Sequence, residues 1–356
     1  MSIQSDTRHY EIWLGKQCTV VKHDLQYKHE RMATDPFIFL RATYYRWARK
    51  IEEWCPELRD APHVLAVGDV HTENFGIWRD REGRLVWGIN DFDEASPMPY
   101  VFDLVRLATS AGLAPGLPLK MGEVCAAILQ GYRKGLAKPR PTLLGEHKAW
   151  MRPLLEKSGR ATKKFWDKVE EYPDAKPPVK VVARLKQSLS RDADIQRFCS
   201  RAVGAGSLGR RRFVAVAEWR GGRILREAKV FVPSAWRWAH DRSRDWSSFM
   251  QIADGRFRSP DPFLETRGRF IYRRIAADAQ KIELGKRSGR HLHRALLDAM
   301  GFDLGAIHAA HPKKASKIQR DLEKRPSGWL KIASDKAATK IRDEFKSWRD
   351  TYKANR

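Results

Sequence analysis

Apolar residues in this chain gather into short runs and helical stripes that alternate along its length. Residues 64–67 form a continuous apolar run closed by Gly68, which reads as a buried strand entering a loop. Two further runs, 75–78 and 85–89, flank the turn signal Asp80-Arg81-Glu82-Gly83, and together they predict a β-hairpin. Phe37, Leu40, Tyr44, Trp47 and Ile51 recur at helical spacing and predict one helix over residues 36–54. A second helix is predicted over 100–111, with Val101, Leu104, Val105 and Ala108 on one face and Gly112 as its stop, and a third over 122–136. Residues 157–186 are polar and interrupted by proline, the pattern of a linker or mobile surface segment. Residues 213–219 and 224–232 predict a second hairpin about Gly221-Gly222, and 270–275 a short strand. A helix follows over 290–309, with a core stripe of Leu297, Met300, Leu304 and Ile307, and a basic helical tail over 326–352. The mixture implies an α+β fold.

Composition narrows the class. The chain has 356 residues, 42% hydrophobic and 31% charged, which suits a globular protein with a sizeable core. No apolar run approaches membrane-spanning length, and residues 1–16 lack a signal-peptide core. Cys18, Cys55, Cys125 and Cys199 are scattered, with no C-x-x-C pair and no zinc spacing, so reduced thiols in a cytoplasmic protein are expected. A net charge of +25 favours anionic partners, namely nucleotides, phosphorylated metabolites, nucleic acid or an anionic membrane surface, without choosing among them. A solvated basic surface accounts for it slightly better than a dedicated nucleic-acid face, and most of the aromatics, 13 tryptophans among them, fall at core spacings rather than as a stacking platform.

Chemistry concentrates in two stretches. Gly68-Asp69-Val70-His71-Thr72-Glu73-Asn74 precedes the first hairpin and Asn90-Asp91-Phe92-Asp93 follows it. Antiparallel pairing brings Asn74 and Asp91 together. Such oxygen ligands suit a magnesium-nucleotide site: Asp69 orients or deprotonates a hydroxyl, while Asn74 and Asp91 hold the metal. His71 supports the loop by hydrogen bonding. Structural turn-capping is the competing role for all of these side chains. Further on, Gly204-Ala205-Gly206-Ser207-Leu208-Gly209 precedes the second hairpin, whose return strand carries Lys229. A strand follows these glycines where a dinucleotide fold would have a helix. Glycine loop, hairpin and strand lysine can cover and contact phosphates; an ordinary glycine-rich hairpin with a surface lysine is the alternative.

These residues carry a family likeness. Gly68-Asp69-x-His71-x-x-Asn74 with Asp91-Phe92-Asp93, and Phe102-Asp103-Leu104 beyond, resembles the aminoglycoside phosphotransferase and choline kinase group. "GDVHTENFGIW", "NDFDEASPMPYVFDLVRLATS" and "VGAGSLGRRRFVAV" together resemble the bacterial domain-of-unknown-function-2252 family over roughly residues 30–310. The kinase resemblance implies a two-lobed protein-kinase-like fold. It implies ATP and Mg2+ as ligands, Asp69 as catalytic base, Asn74 and Asp91 as magnesium ligands, and Asp93 as a further ligand or a turn cap. Gly204, Gly206, Ser207 and Gly209 would approach the phosphates and Lys229 would contact them. The order of these parts is reversed relative to kinases, which implies circular permutation. Residues 1–190 would be a helical catalytic-loop unit, 191–285 a β-rich nucleotide clamp and 286–356 helices completing the fold. Kinases pair that lysine with a helix glutamate; Asp241, Asp245 or Glu265 would substitute here, or the pairing would be absent.

The leading expectation is therefore a phosphotransferase acting on a small-molecule or protein hydroxyl. The alternatives are a nucleotide-binding pseudokinase or a basic nucleic-acid-binding module. A third is a metal-dependent phosphoesterase, suggested by Asp69-Val70-His71, although no G-N-H segment follows and His291 and His293 fall in a helical context.

Overall fold

The computed structural model describes residues 1–155, 158–240, 248–282 and 289–354. The chain enters through α1 (Ile3–Gln17), α2 (Lys22–Met32), α3 (Pro36–Ala42) and α4 (Tyr44–Trp54). Where the apolar spacing predicts one helix over 36–54, there are two. Thr43 leaves helical geometry (φ −119°, ψ 36°) and its hydroxyl donates to Phe39 O at 2.7 Å. A threonine that bonds the carbonyl four residues back competes with the helix ladder, and here the chain bends. Asp35 caps the start of α3 by accepting from the N–H groups of Phe37 and Ile38.

β1 (His63–Ala66) pairs antiparallel with β4 (Ser96–Pro99). Between them lies the predicted hairpin, β2 (Phe75–Arg79) and β3 (Leu85–Ile89), with Phe75 opposite Ile89. Its turn is closed by Asp80, whose carboxylate accepts from Glu82 N at 3.0 Å and Arg84 N at 2.9 Å. α5 (Tyr100–Leu113) follows β4 directly, and Gly112 lies inside it rather than ending it. A methyl group there would meet only the flexible end of the Met121 side chain, and the helix runs through this glycine to Leu113.

α6 (Met121–Ala137) crosses α12 (Arg290–His308) through glycines on both helices. Methyl groups on Gly131, Gly135, Gly301 or Gly305 would collide with the carbonyl oxygens of Asp298, Phe302, Ile128 and Tyr132. The two backbones therefore touch directly, and the crossing fixes where the end of α12 lies.

After β5 (Thr142–Leu143) and the short α7 (Leu144–His147) come α8 (Ser158–Glu170) and α9 (Val179–Gln187). These occupy the stretch expected as a linker; Lys157, its first residue, lies outside the described residues. Both helices pack on an antiparallel five-stranded sheet of order β6-β7-β8-β10-β9. Its strands are β6 (Asp194–Ser200), β7 (Arg212–Trp219), β8 (Gly222–Val230), β9 (Glu265–Arg267) and β10 (Phe270–Ile275). α9 sets Val181 and Leu185 against Phe213, Ala215 and Ala228. α8 sets Phe165 and Val169 against Val214, Val216 and Leu225. Alternation along β7 thus divides its side chains between two covered faces.

α10 (Ala235–Ala239) and α11 (Ser248–Ala253) lie between β8 and β9. α13 (Pro312–Lys324) and α14 (Trp329–Ala354) close the chain, and residues of α14 join the main apolar core with those of α3, α4 and α5. The α+β class expected from the sequence is the one found. Among the described residues no helix is long and apolar enough to cross a membrane, and the four cysteines are free.

Candidate functional site

The loop after β1 is held from below. The Asp103 carboxylate, on α5, accepts from Val67 N at 2.7 Å and Gly68 N at 2.9 Å. His308, at the end of α12, meets Asp103 through Nε2 at 3.1 Å and the Tyr132 hydroxyl through Nδ1 at 2.8 Å. All three side chains are buried, so the α6–α12 crossing bears on the loop through a continuous polar chain. Gly68 takes φ +82°, and a Cβ would stand 2.5 Å from Glu94 O and 2.6 Å from the Tyr44 hydroxyl, so only glycine fits.

Asp69 follows. Its carboxylate pairs with Arg106 through Nε at 3.0 Å and also through Nη2. Arg106 lies one turn beyond Asp103 on the same face of α5, fully buried, with its guanidinium over the Tyr44 and Trp47 rings. Both α5 residues thus serve the Asp69 loop. Burial pushes the Asp69 carboxyl up to about 7, against the pull of Arg106, which suits a group exchanging protons near neutral pH. His71 accepts from Glu73 N at 3.2 Å through Nδ1. Burial, then the charges of Arg41 and Arg106, hold it well below the ordinary histidine range, so it is neutral.

The hairpin joins the two halves of the motif: Asn74 O accepts from Asn90 N at 3.1 Å. The buried Asn74 amide donates to Asp69 O, and among the described residues its Oδ1 accepts no hydrogen bond, so its lone pairs are open to a ligand. Asp91 is the most open carboxylate of the floor, 41% exposed, and lies 3.5 Å from Lys229 Nζ. Asp93 is buried and pairs with Lys229 and, at 3.3 Å, with Arg210. Arg210 also reaches Glu94 at 3.1 Å and the Tyr10 hydroxyl at 3.2 Å. Burial alone would raise the Asp91 carboxyl, yet the Lys229 charge holds it well below the ordinary range. Asp93 moves the other way, through burial and the neighbouring Asp91 charge.

The glycine loop spans β6 and β7. Gly204 (φ +79°) and Gly209 (φ +92°) both need left-handed backbone. Gly206 lies against the floor: a Cβ there would stand 3.1 Å from Arg41 O and 3.3 Å from Asp69 Oδ2. Ser207 Oγ accepts from Arg212 at 2.6 Å. The base of the loop is tied down by Val21 N donating to Gly209 O at 2.9 Å.

Asp69, His71, Asn74, Asp91, Asp93, Gly204, Gly206 and Ser207 therefore line one cavity of about 90 Å³. Lys229 reaches this floor through its ion pairs, and Gly209 stays at the base of the loop. A second cavity, of about 360 Å³, shares Asp91, Gly204, Ser207 and Lys281 with the first and extends past Trp78 and Leu264.

Glu265 does not serve Lys229, because it is paired with Arg184. Asp241 and Asp245 lie outside the described residues. The counter-ions of Lys229 are the floor carboxylates themselves. Among the described residues no group of three or more His, Cys, Asp or Glu is arranged to hold a metal ion. Magnesium delivered with phosphates needs only one or two carboxylates, a demand that Asp91 with the Asn74 oxygen fits. His291 and His293 sit on the first turn of α12 and line neither cavity, so a histidine-rich metallophosphoesterase centre lacks those ligands.

Sequence reasoning missed Arg210, Glu94 and Glu227. Glu227 had a signal: it stands two residues before Lys229 on one strand and so shares its face.

Residues 20–151 match the model of a family described as "Uncharacterized protein conserved in bacteria (DUF2252)". That segment holds Asp69, Asn74, Asp91, Asp93, Asp103 and Arg106, whereas the glycine loop and Lys229 lie beyond it. No curated protein and no solved structure matches the chain.

Proposed function

We propose that the chain is an ATP- and magnesium-dependent phosphotransferase acting on a hydroxyl of a small molecule or protein. Its parts divide the work as in kinases, with their order along the chain circularly permuted. The reading rests above all on one contact: Lys229, from the sheet that carries the glycine loop, lies against Asp91 and Asp93. The strand lysine and the candidate metal ligands thus face each other in one cleft, although 138 positions separate Lys229 from Asp91.

In this reading the backbone N–H groups of the loop 204–209 and the Lys229 ammonium bind the phosphates. Asp91 and Asn74 would hold magnesium, which would supply neutralisation of the charge on the phosphates. Asp69, fixed by Arg106 and by the Asp103-supported loop, orients the acceptor hydroxyl and takes its proton. Its elevated pKa makes the ionised form available from about neutral pH. Phosphoryl transfer asks for position and charge rather than covalent help, and this site supplies both.

The test is an ADP-release assay beside nucleotide titration. Asp69→Ala abolishes transfer and keeps nucleotide binding, whereas Asp91→Ala removes the magnesium-dependent part of binding. ATP consumption unchanged in both variants ends the assignment.

A further inference from the structure

Glu227 is fully buried in the sheet, and three guanidinium groups converge on its carboxylate. Arg201 Nε lies 3.1 Å from it, Arg212 Nη1 3.2 Å and Arg273 Nε 2.6 Å. Three positive charges meet one negative here, and the next carboxylates, Asp91 and Asp93, are already paired with Lys229, so a positive surplus is left where Arg212 is only 4% exposed. A buried ion cluster is tolerable when charge is balanced and costly when it is not. Burial above all, and then the charges of Arg273 and Arg201, lower the Arg212 pKa against the pull of Glu227, whereas Glu227, Asp91 and Asp93 raise that of Arg273 against its burial.

The surplus faces somewhere. Arg201, Arg212 and Arg273 all line the 360 Å³ cavity, beside Asp91 and Ser207. Arg273 engages Glu227 only through Nε; among the described residues its terminal nitrogens make no hydrogen bond. Arg212 bridges Glu227 to the glycine loop through Ser207. Planar guanidinium forks match phosphate oxygens in pairs, which a single lysine does not.

We propose that Arg273, held in place by Glu227 and backed by the buried charge of Arg212, is a binding residue for a chain of two or more linked phosphates in this cavity. Glu227 is the positioning residue: it takes over, for the arginines, the organising part that a helix glutamate would play for Lys229. The inference rests on the phosphotransferase reading for its cleft, yet it can be tested apart from transfer. The occupant is a nucleoside di- or triphosphate or an inorganic polyphosphate, which share this chemistry.

Calorimetry with inorganic tripolyphosphate, Mg-ATP and adenosine tests it. The wild-type chain binds tripolyphosphate and Mg-ATP, and Arg273→Gln weakens both at least tenfold while leaving the thermal midpoint of the free protein near its wild-type value. Arg342→Gln, on the exposed face of α14, changes neither affinity. Glu227→Gln weakens both ligands as well, and Arg273→Lys recovers only part of the loss. Mg-ATP tighter than tripolyphosphate points to the nucleotide source, and equal affinity to the inorganic one. Tripolyphosphate binding through Arg273 without ATP turnover upholds this site and removes the phosphotransferase. Mg-ATP affinity unchanged in Arg273→Gln overturns this site, whether or not ATP is consumed.

Discussion

Gly305→Ala puts one methyl group into the α6–α12 crossing. The new Cβ would overlap Tyr132 O and stand 3.1 Å from both Tyr132 C and Leu136 N. These are backbone atoms of a helix, so no rotamer change relieves the overlap, and the helices must part by on the order of 1 Å to restore ordinary contact. Overpacking of this kind costs about 1–3 kcal/mol. Alanine returns up to about 1 kcal/mol in helix propensity. Because the collision is with main chain, the cost falls at the upper end of its range, and the net loss is about 2 kcal/mol. Gly15→Ala is the internal comparison: nothing lies within 4 Å of its Cβ position on α1, so the propensity gain stands alone. Urea unfolding followed by circular dichroism should move the midpoint down for Gly305→Ala and slightly up for Gly15→Ala. Hydrogen exchange adds a local readout, since His308 follows Gly305 by one turn and holds Asp103. The Val67 and Gly68 amides should lose protection in Gly305→Ala. A variant as stable as wild type, with those amides unchanged, refutes the claim that the crossing positions the loop.

The remaining predictions concern the floor of the cleft. If Asp69 accepts the proton, transfer rate climbs as pH rises through about 7, where its carboxyl ionises, and falls tenfold per pH unit well below that; a rate flat from pH 5 to 8 contradicts the assignment. Asp103→Asn keeps the shape but leaves one acceptor oxygen: one of the bonds to Val67 N and Gly68 N becomes neutral and the other N–H faces an amide NH2 that cannot accept, so a loss of about 1.5–3 kcal/mol is expected in denaturant titration, with transfer reduced alongside. Lys229→Met leaves Asp91 and Asp93 without their shared cation, and Mg-ATP affinity should drop tenfold or more by calorimetry while the basic surface is unaltered.

Much of the site could be read along the chain because it is built from local turns. The hairpin β2–β3 needs only two apolar runs and a turn, and it alone brings Asn74 to Asp91. α6 and α12 were legible from their stripes, but their glycines look like weak points until the partner helix is seen. Gly112 misled too, since a glycine inside a helix and one that ends it look alike in sequence. α8 and α9 read as a linker because the stretch is rich in charge and broken by Pro173, Pro177 and Pro178; the sheet they cover lies further along the chain. β6 lacks strong alternation and was not expected, yet it forms one side of the glycine loop. Sequence order offers Lys229 only the downstream Asp241, Asp245 and Glu265, whereas its ion pairs run back to Asp91 and Asp93. Long-range charge pairing of this sort, like the meeting of Arg210 with Glu94, leaves no periodic trace.

The central claim is that the floor carboxylates and the glycine-loop sheet form one magnesium-nucleotide cleft. Thermal unfolding of the wild-type chain and of Asp91→Ala, each with ATP in the presence and absence of Mg2+, tests it most directly. At a ligand concentration near a hundred times Kd, Mg-ATP should stabilise the wild type by about 2.7 kcal/mol, and most of that gain should vanish without Mg2+ or in Asp91→Ala. A wild-type midpoint that ignores Mg-ATP, or a shift that Asp91→Ala fully retains, contradicts it.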